Sequence, residues 1–395
     1  MKKYLYEADI LMPQTDLTKW SVIACDQYTS DEGYWNRVKK NVSDYPSTLN
    51  LVLPEIYLDD SEQRIKKINK TMKKYLDDGV FEVKPSSMIY VERKFSNNKI
   101  RHGIVGMIDL DDYDYNKGSK SLTRATEETV VERIPPRVEI RKDALIELPH
   151  ILLFINDPEN KVIGSVEKES DNLELAYDFQ LMEKAGEIKG YYINKDLQNL
   201  INEGLDSLVK DGLLFAVGDG NHSLATAKEC HKLNNNENSK YALVEVVNIH
   251  DSSIEFEPIY RVLFGADKKH VINSMKEFFN VKENSENTHS FEIYDNNGCD
   301  ILSVEPISKL PVGTLQIFLD KYLKENSDVK IDYIHGIEDT KELCQKENTV
   351  GFIFDGMRKS ELFDAVVLDG SLPRKTFSMG TADEKRFYLE GRKIK

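Results

Sequence analysis

The stretch with the most chemical content is Gly218-Asp219-Gly220-Asn221-His222-Ser223. The apolar run Leu213-Leu214-Phe215-Ala216-Val217 precedes it, and an Ala- and Lys-rich stretch from Leu224 to Leu233 follows, so the pattern predicts strand, tight turn, helix. Gly218 and Gly220 let the backbone take positive φ and approach a ligand closely, and a helix that opens there has unpaired first N–H groups with positive partial charge. A phosphate suits that arrangement. Asp219 could hold Mg2+ or accept a substrate proton, His222 and Ser223 could donate to phosphate oxygens, and Lys228 lies one or two turns deeper. On these six residues alone, the plainer reading is a strand-to-helix turn whose Asp and Ser cap the helix. The string is neither a P-loop, since no Gly-Lys-Ser/Thr follows, nor the dinucleotide Gly-x-Gly-x-x-Gly.

The elements that must hold such a turn alternate between strand-like and helix-like. Trp20 to Cys25 reads as a short strand, followed by a turn at Asp26 to Ser30 and a helix from Asp31 that Thr29 or Ser30 would cap. Ser61 to Asp78 has one apolar stripe at helical spacing, and Val80 to Leu110 suggests a hairpin turning at Ser96-Asn97-Asn98. Thr123 to Arg133 reads as a short helix stopped by Pro135-Pro136. Ile151 to Ile155 and Tyr241 to Ile249 read as buried strands, and Leu197 to Lys210 as an amphipathic helix. Beyond residue 260 the pattern repeats with helices at Val271 to Phe279 and Leu315 to Lys324, a polar loop at Glu283 to Asn287, and strands at Val329 to Ile334 and Thr349 to Phe354. The expected class is α/β (α+β), divided as 1–262, a second and smaller α/β unit at 263–370, and a carboxy-terminal segment, 371–395, folding back on the first domain.

Composition narrows the functions. With 53 Lys and Arg against 68 Asp and Glu, the net charge of −15 argues against nonspecific nucleic-acid binding, which depends on a basic surface. No apolar run approaches the roughly 20 residues of a membrane span, and a soluble cytoplasmic protein with no membrane partner is expected. Cys25, Cys230, Cys299 and Cys344 form no C-x-x-C pair, and the histidines show no metal-ligand spacing.

Compared as a whole, Phe215 to Ala227 resembles the Ala-Asp-Gly-His-His-Arg-Tyr-x-x-Ala box of the bacterial and archaeal domain-of-unknown-function 1015 family. Four further segments match in order. Ile23 to Ser30 is similar to that family's Pro-Tyr-Asp-Val-x-Ser turn, and Arg124-Ala125-Thr126-Glu127-Glu128-Thr129 to its Arg-x-His-Glu-x-Thr segment. Glu257 to Val262 resembles Pro-x-His-Arg, and Leu372-Pro373-Arg374-Lys375-Thr376 the closing Met-Pro-x-Lys-Ser. The box is also similar to the phosphate-binding box of the ParB/sulfiredoxin-like superfamily, whose members include free-serine kinases, CTP-using partition proteins and sulfiredoxins.

That resemblance implies a mixed-sheet core of ParB/sulfiredoxin type and a nucleotide (ATP, ADP or CTP) with Mg2+ as cofactors. Its phosphate would lie against Gly218, Gly220, Asn221, His222 and Ser223, with Asp219 at the metal. Ser223 stands where the box usually has arginine, Asn221 where it often has histidine, and Thr126 where the second segment has histidine. The cationic charge must then come from elsewhere, and Arg124, Arg261, Arg374 and Lys375 are the candidates. For phosphoryl transfer, Asp26 and Glu127 are candidates to orient the acceptor hydroxyl, Glu127 from the same helix face as Arg124, with Asp219 and His222 as the other catalytic candidates. The implied partners are the nucleotide and a small hydroxyl compound such as free serine, and a homodimer is compatible with the organisation. The alternative is a nucleotide- or phosphate-binding regulatory protein without transfer. A sulfiredoxin-like activity is disfavoured because Cys230, the thiol of that region, falls about two turns into the helix.

Overall fold

The computed structural model describes all residues except 1, 26–27, 29–30, 55, 58–60, 235 and 282–287. Asp26, the Thr29 or Ser30 cap and the expected loop at Glu283 to Asn287 therefore lie outside the described residues. Two compact units emerge: Met1–Ala125, Thr129–Ile254 and Thr381–Lys395 form the first, and Thr126–Glu128 with Glu255–Gly380 the second.

The first unit is built on a mixed sheet of β1 (Ile89–Lys94), β2 (Ile100–Asp109), β3 (Tyr113–Asp114), β4 (Thr123–Ala125), β5 (Leu152–Ile155), β6 (Glu174–Gln180), β7 (Glu187–Tyr192), β8 (Phe215–Asp219) and β9 (Tyr241–Asn248). The strand order is β3-β4-β8-β5-β9-β2-β1-β7-β6. β8 runs parallel to β4 and antiparallel to β5, and β5 runs parallel to β9. Because successive side chains point to opposite faces, Leu243 and Val91 feed one core while Ala242, Val244 and Tyr90 feed the other. Both faces of the sheet are covered. On one side lie α1 (Ser61–Asp77), through Ile68 and Met72, and the carboxy-terminal Phe387, Leu389 and Ile394. After α2 (Ile134–Arg141), the helices α3 (Lys195–Leu208) and α4 (Asn221–Asn234) cover the other with Leu197, Ile201, Leu205, Leu224 and Ala225.

In the second unit an antiparallel sheet has the order β12-β11-β14-β10-β13, from β10 (Phe256–Phe264), β11 (His289–Asp295), β12 (Gly298–Val304), β13 (Lys330–His335) and β14 (Thr349–Ile353). Phe377–Met379 adds to the start of β10, and the helices α5 (Lys268–Phe278) and α6 (Pro311–Glu325) bury Val271, Met275, Leu315 and Leu319.

Two local expectations are corrected. Thr123 to Arg133 is not a helix: Thr123–Ala125 pairs with Phe215–Val217 as a strand. Pro135 and Pro136 open α2 rather than stopping a helix, because the first helical turn has no use for their missing N–H donors. Glu127 and Arg124 consequently share no helix face. Trp20 to Cys25 is not a strand either. A short helix, Leu17–Trp20, ends there, and Val22 makes a single antiparallel bridge to Tyr388. The next helix, Glu32–Val42, is capped by Asp31, whose carboxylate accepts from the Tyr34 N–H.

Candidate functional site at the start of α4

β8 delivers the turn at its carboxy-terminal end. A side chain at Gly218 would run into the Phe154 ring, and Gly220 takes φ +78° with Ile151 2.9 Å from where a Cβ would stand. Glycine at both positions is thus required by the close passage over β5 and, at Gly220, by the left-handed backbone. Gly220 also starts the helix, since its carbonyl accepts from the Ser223 and Leu224 N–H groups at 3.0 Å. The N–H groups of Asn221 and His222 come before the first intrahelical bonds of α4.

The side chains of the turn divide into inward and outward roles. Asp219 Oδ1 accepts from the Gly220 N–H at 2.8 Å, and Oδ2 lies 3.4 Å from Lys385 Nζ. Asn221 turns inward: its amide donates to Thr129 Oγ1 and its oxygen accepts from the Tyr113 hydroxyl, both at 2.7 Å. His222 Nε2 accepts from the Val130 N–H at 3.2 Å, which puts the proton of a neutral ring on Nδ1. Ser223 Oγ meets His150 Nε2 at 3.0 Å, and the His150 and Tyr388 rings pack in a T-shaped arrangement with their centroids 5.2 Å apart. Burial, with the carboxylate of Asp219 nearby, pushes the Tyr388 phenol well above its ordinary range and keeps it neutral. Lys228, expected deeper in the helix, is committed to the Tyr113 carbonyl.

The expected supporting cations are placed elsewhere. Arg124 is buried, and its guanidinium donates to the Ser121 and Asp211 carbonyls, at 2.9 and 3.0 Å. Asp211 precedes the amino-terminal end of β8, so Arg124 serves the opposite end of the strand from the turn. Burial lowers its pKa. In the second unit, Arg261 is fully buried and donates to the carbonyls of Ile259, Lys375 and Arg374 and to Gln316 Oε1. Burial pulls its pKa down to about 10. Glu127 Oε1 accepts from the Thr376 N–H, and the Leu372 N–H donates to the Thr126 carbonyl. Arg374 and Lys375 expose their side chains, Arg374 at 4.0 Å from Glu128. The three sequence segments around Glu127, Arg261 and Leu372 to Thr376 therefore meet as a clamp inside the second unit, where Arg261 has no fork to offer a phosphate.

Sequence reasoning missed Lys385, His150 and Tyr388. None belongs to a local motif. His150 reaches the turn because β5 runs antiparallel to β8 with Leu152 opposite Asp219, and Lys385 and Tyr388 arrive from the carboxy-terminal segment.

Among the described residues, no group of three or more His, Cys, Asp and Glu side chains forms a ligand set for a metal. A lone carboxylate still suits Mg2+, which keeps several waters and binds through one or two carboxylates together with phosphate oxygens. Asp219 is the carboxylate at this turn, with Oδ1 on the Gly220 N–H and Oδ2 facing Lys385. No helix of the described residues is long and apolar enough to cross a membrane.

Fold and site together define a mixed α/β protein whose distinctive feature is a strand–turn–helix passage opening at Gly220. The family model described as protein of unknown function (DUF1015) matches residues 8–322, and the chain belongs to that family. No curated protein matches it. Among solved structures it is similar to a variant of a free serine kinase in complex with AMP, with 14% identity, TM-score 0.42, and coverage of 75% of this chain and 93% of that one. A conserved hypothetical protein from Pyrococcus furiosus matches at 14% identity and TM-score 0.37, over 73% of this chain and 94% of that one. SbnI with a C-terminal truncation, from Staphylococcus aureus, matches at 12% identity and TM-score 0.37, over 72% and 85%.

Proposed function

We propose that the chain binds the phosphates of a nucleotide (ATP, ADP or CTP) at the Gly218 to Ser223 turn and transfers a phosphoryl group to a small hydroxyl compound such as free serine. The observation that carries the reading is the meeting of Asp219 and Lys385, 3.4 Å apart, beside the left-handed Gly220 that opens α4. A cation, a carboxylate and a helix start then share one place. The Asn221 and His222 N–H groups and the Ser223 hydroxyl, held by His150, would receive phosphate oxygens. Asp219 would hold Mg2+, which when bound neutralises phosphate charge. Lys385 would stay beside Asp219 and keep its carboxylate oriented toward the metal. In the transfer the acceptor oxygen bonds to phosphorus, the bond from phosphorus to the leaving nucleotide oxygen breaks, and the hydroxyl proton passes to a carboxylate or to solvent.

Incubation with ATP, ADP or CTP, Mg2+ and a panel of hydroxy amino acids, followed by phosphorus NMR, tests this. A phosphorylated acceptor that disappears with Asp219→Ala is the expected result. Wild-type turnover no higher than that of Asp219→Ala removes the kinase reading.

A second reading, binding without transfer, is favoured by the replacement of the box arginine by Ser223, which leaves the turn without a fork for developing charge. A nucleotide-induced rise in melting temperature with no product would select it.

A further inference from the structure

The segment Thr381–Lys395 lies outside the residues matched to the family, yet it is fixed in the first unit by buried charges. Arg386 donates at 2.7 Å to Glu245, to Glu390 and to the Pro149 carbonyl, and Glu390 accepts in turn from the Tyr177 hydroxyl at 2.5 Å. Arg386, Glu245 and Glu390 are all buried. A group so held cannot shift without leaving an unpaired charge inside the protein, so the segment has one register.

That register addresses the turn twice. Lys385, the residue before Arg386, puts Nζ 3.4 Å from Asp219 Oδ2 while keeping only 19% of its side chain exposed. Tyr388, two residues after Arg386, packs in a T-shaped pair with His150, which meets Ser223 Oγ at 3.0 Å. Arg386 itself grips the carbonyl of Pro149, the neighbour of His150. A surface ion pair chosen at random would contribute little and fix nothing. Here one partner belongs to a nailed-down segment and the other to a turn whose Oδ1 already holds the Gly220 N–H.

We infer that Lys385, supplied by the carboxy-terminal segment, is the positioning residue for Asp219. It holds the carboxylate in the orientation that keeps Gly220 N–H bonded and the start of α4 preformed. The catalytic meaning of this role rests on the proposed function above, and the positioning itself on the geometry.

The test compares full-length wild type with Lys385→Met, Lys385→Arg and, as a control on the same segment, Lys393→Met. Amide exchange followed by NMR reports the Gly220 N–H. Turnover with ATP, Mg2+ and serine reports the reaction. Lys385→Met is expected to speed Gly220 exchange about tenfold while the amides of β5 and β9 keep their wild-type rates. Lys385→Arg restores most of the protection, and Lys393→Met changes nothing. In turnover, Lys385→Met lowers kcat about tenfold with little change in KM, and Lys385→Arg recovers most of it. Unchanged Gly220 exchange in Lys385→Met overturns the inference. So does exchange that rises equally in β5 and β9, because the lysine would then serve only the fold. If wild type neither turns over nor gains melting temperature with ATP while Gly220 responds as expected, the proposed function falls and the positioning role stands.

Discussion

The hydroxyl of Tyr113 donates to Asn221 Oδ1 at 2.7 Å, and this bond fixes the first residue of α4 to a phenol that is fully buried. The other half of the Asn221 amide is engaged by Thr129. An asparagine where related boxes often carry histidine is thereby given a structural task. Asn221→Ala leaves the Tyr113 hydroxyl without that acceptor and is expected to destabilise the first unit by about 1–3 kcal/mol in denaturant unfolding. With Tyr113→Phe added, the loss should be clearly less than additive, since both changes remove one bond. Strict additivity would show that the two residues do not depend on each other.

Gly220 combines two constraints that a control position separates. Gly118 has the same φ of +78° but open space where a Cβ would be, whereas at Gly220 the Cβ would stand 2.9 Å from Ile151 Cγ1 and 3.0 Å from its Cα. Gly118→Ala should cost the left-handed strain alone, about 1–2 kcal/mol. Gly220→Ala should cost that and more, because backbone must move, and should also abolish any nucleotide-induced rise in melting temperature. Equal losses at the two positions would mean that the passage over Ile151 relaxes freely.

Periodicity and turn chemistry made much of this fold legible. The strand, turn and helix around Gly220 follow from an apolar run, two glycines and an Ala-rich stretch, and β1, β2, α1, α3, α5 and α6 from equally local patterns. Thr123 to Ala125 misled because three residues carry no period, and what makes them a strand is pairing with Phe215 to Val217, far along the chain. The prolines after Ile134 suggest a stop by type alone, whereas their position at the start of α2 makes them an opening. At the site, the backbone part was local and therefore visible. His150, Lys385 and Tyr388 come from remote segments, and only the strand order and the buried Arg386 bring them in. Arg261 looked like a ligand-binding cation because an arginine's fork fits phosphate and a ladder of carbonyls equally well, and burial decides which.

Acid should weaken the first unit through Glu147. Burial pushes its carboxyl up, but Arg392, at 2.7 Å, and Arg141, with the Leu243 N–H, more than reverse this and hold it at about 2. A depressed carboxyl contributes its full stabilisation above the unfolded value of about 4.3 and loses it as pH falls toward the folded one. The contribution at neutral pH is roughly 3 kcal/mol, lost between about pH 5 and pH 2. Melting temperature of the wild type should drop steeply across that interval. Glu147→Gln should start lower, because it leaves buried Arg392 without its counter-charge, and should fall more gently with acid. Parallel profiles would remove Glu147 as the source.

Arg261 and Arg124 allow the cost of losing a buried carbonyl clamp to be compared within one chain. Arg261 serves three carbonyls and Gln316 Oε1, and two of those carbonyls, of Arg374 and Lys375, belong to the segment that also meets Thr126 and Glu127. Arg124 serves two carbonyls, of Ser121 and Asp211. Each buried acceptor left without its donor costs about 1–3 kcal/mol, so Arg261→Met should destabilise the second unit by more than Arg124→Met destabilises the first. Arg261→Lys should rescue little, because one ammonium cannot reach acceptors arranged for a planar fork. Limited proteolysis gives the local readout: cleavage near Arg374 and Lys375 should accelerate in Arg261→Met and stay at the wild-type rate in Arg124→Met. Equal protection of that segment in both variants would show that the Glu127 and Thr126 contacts hold it without the arginine.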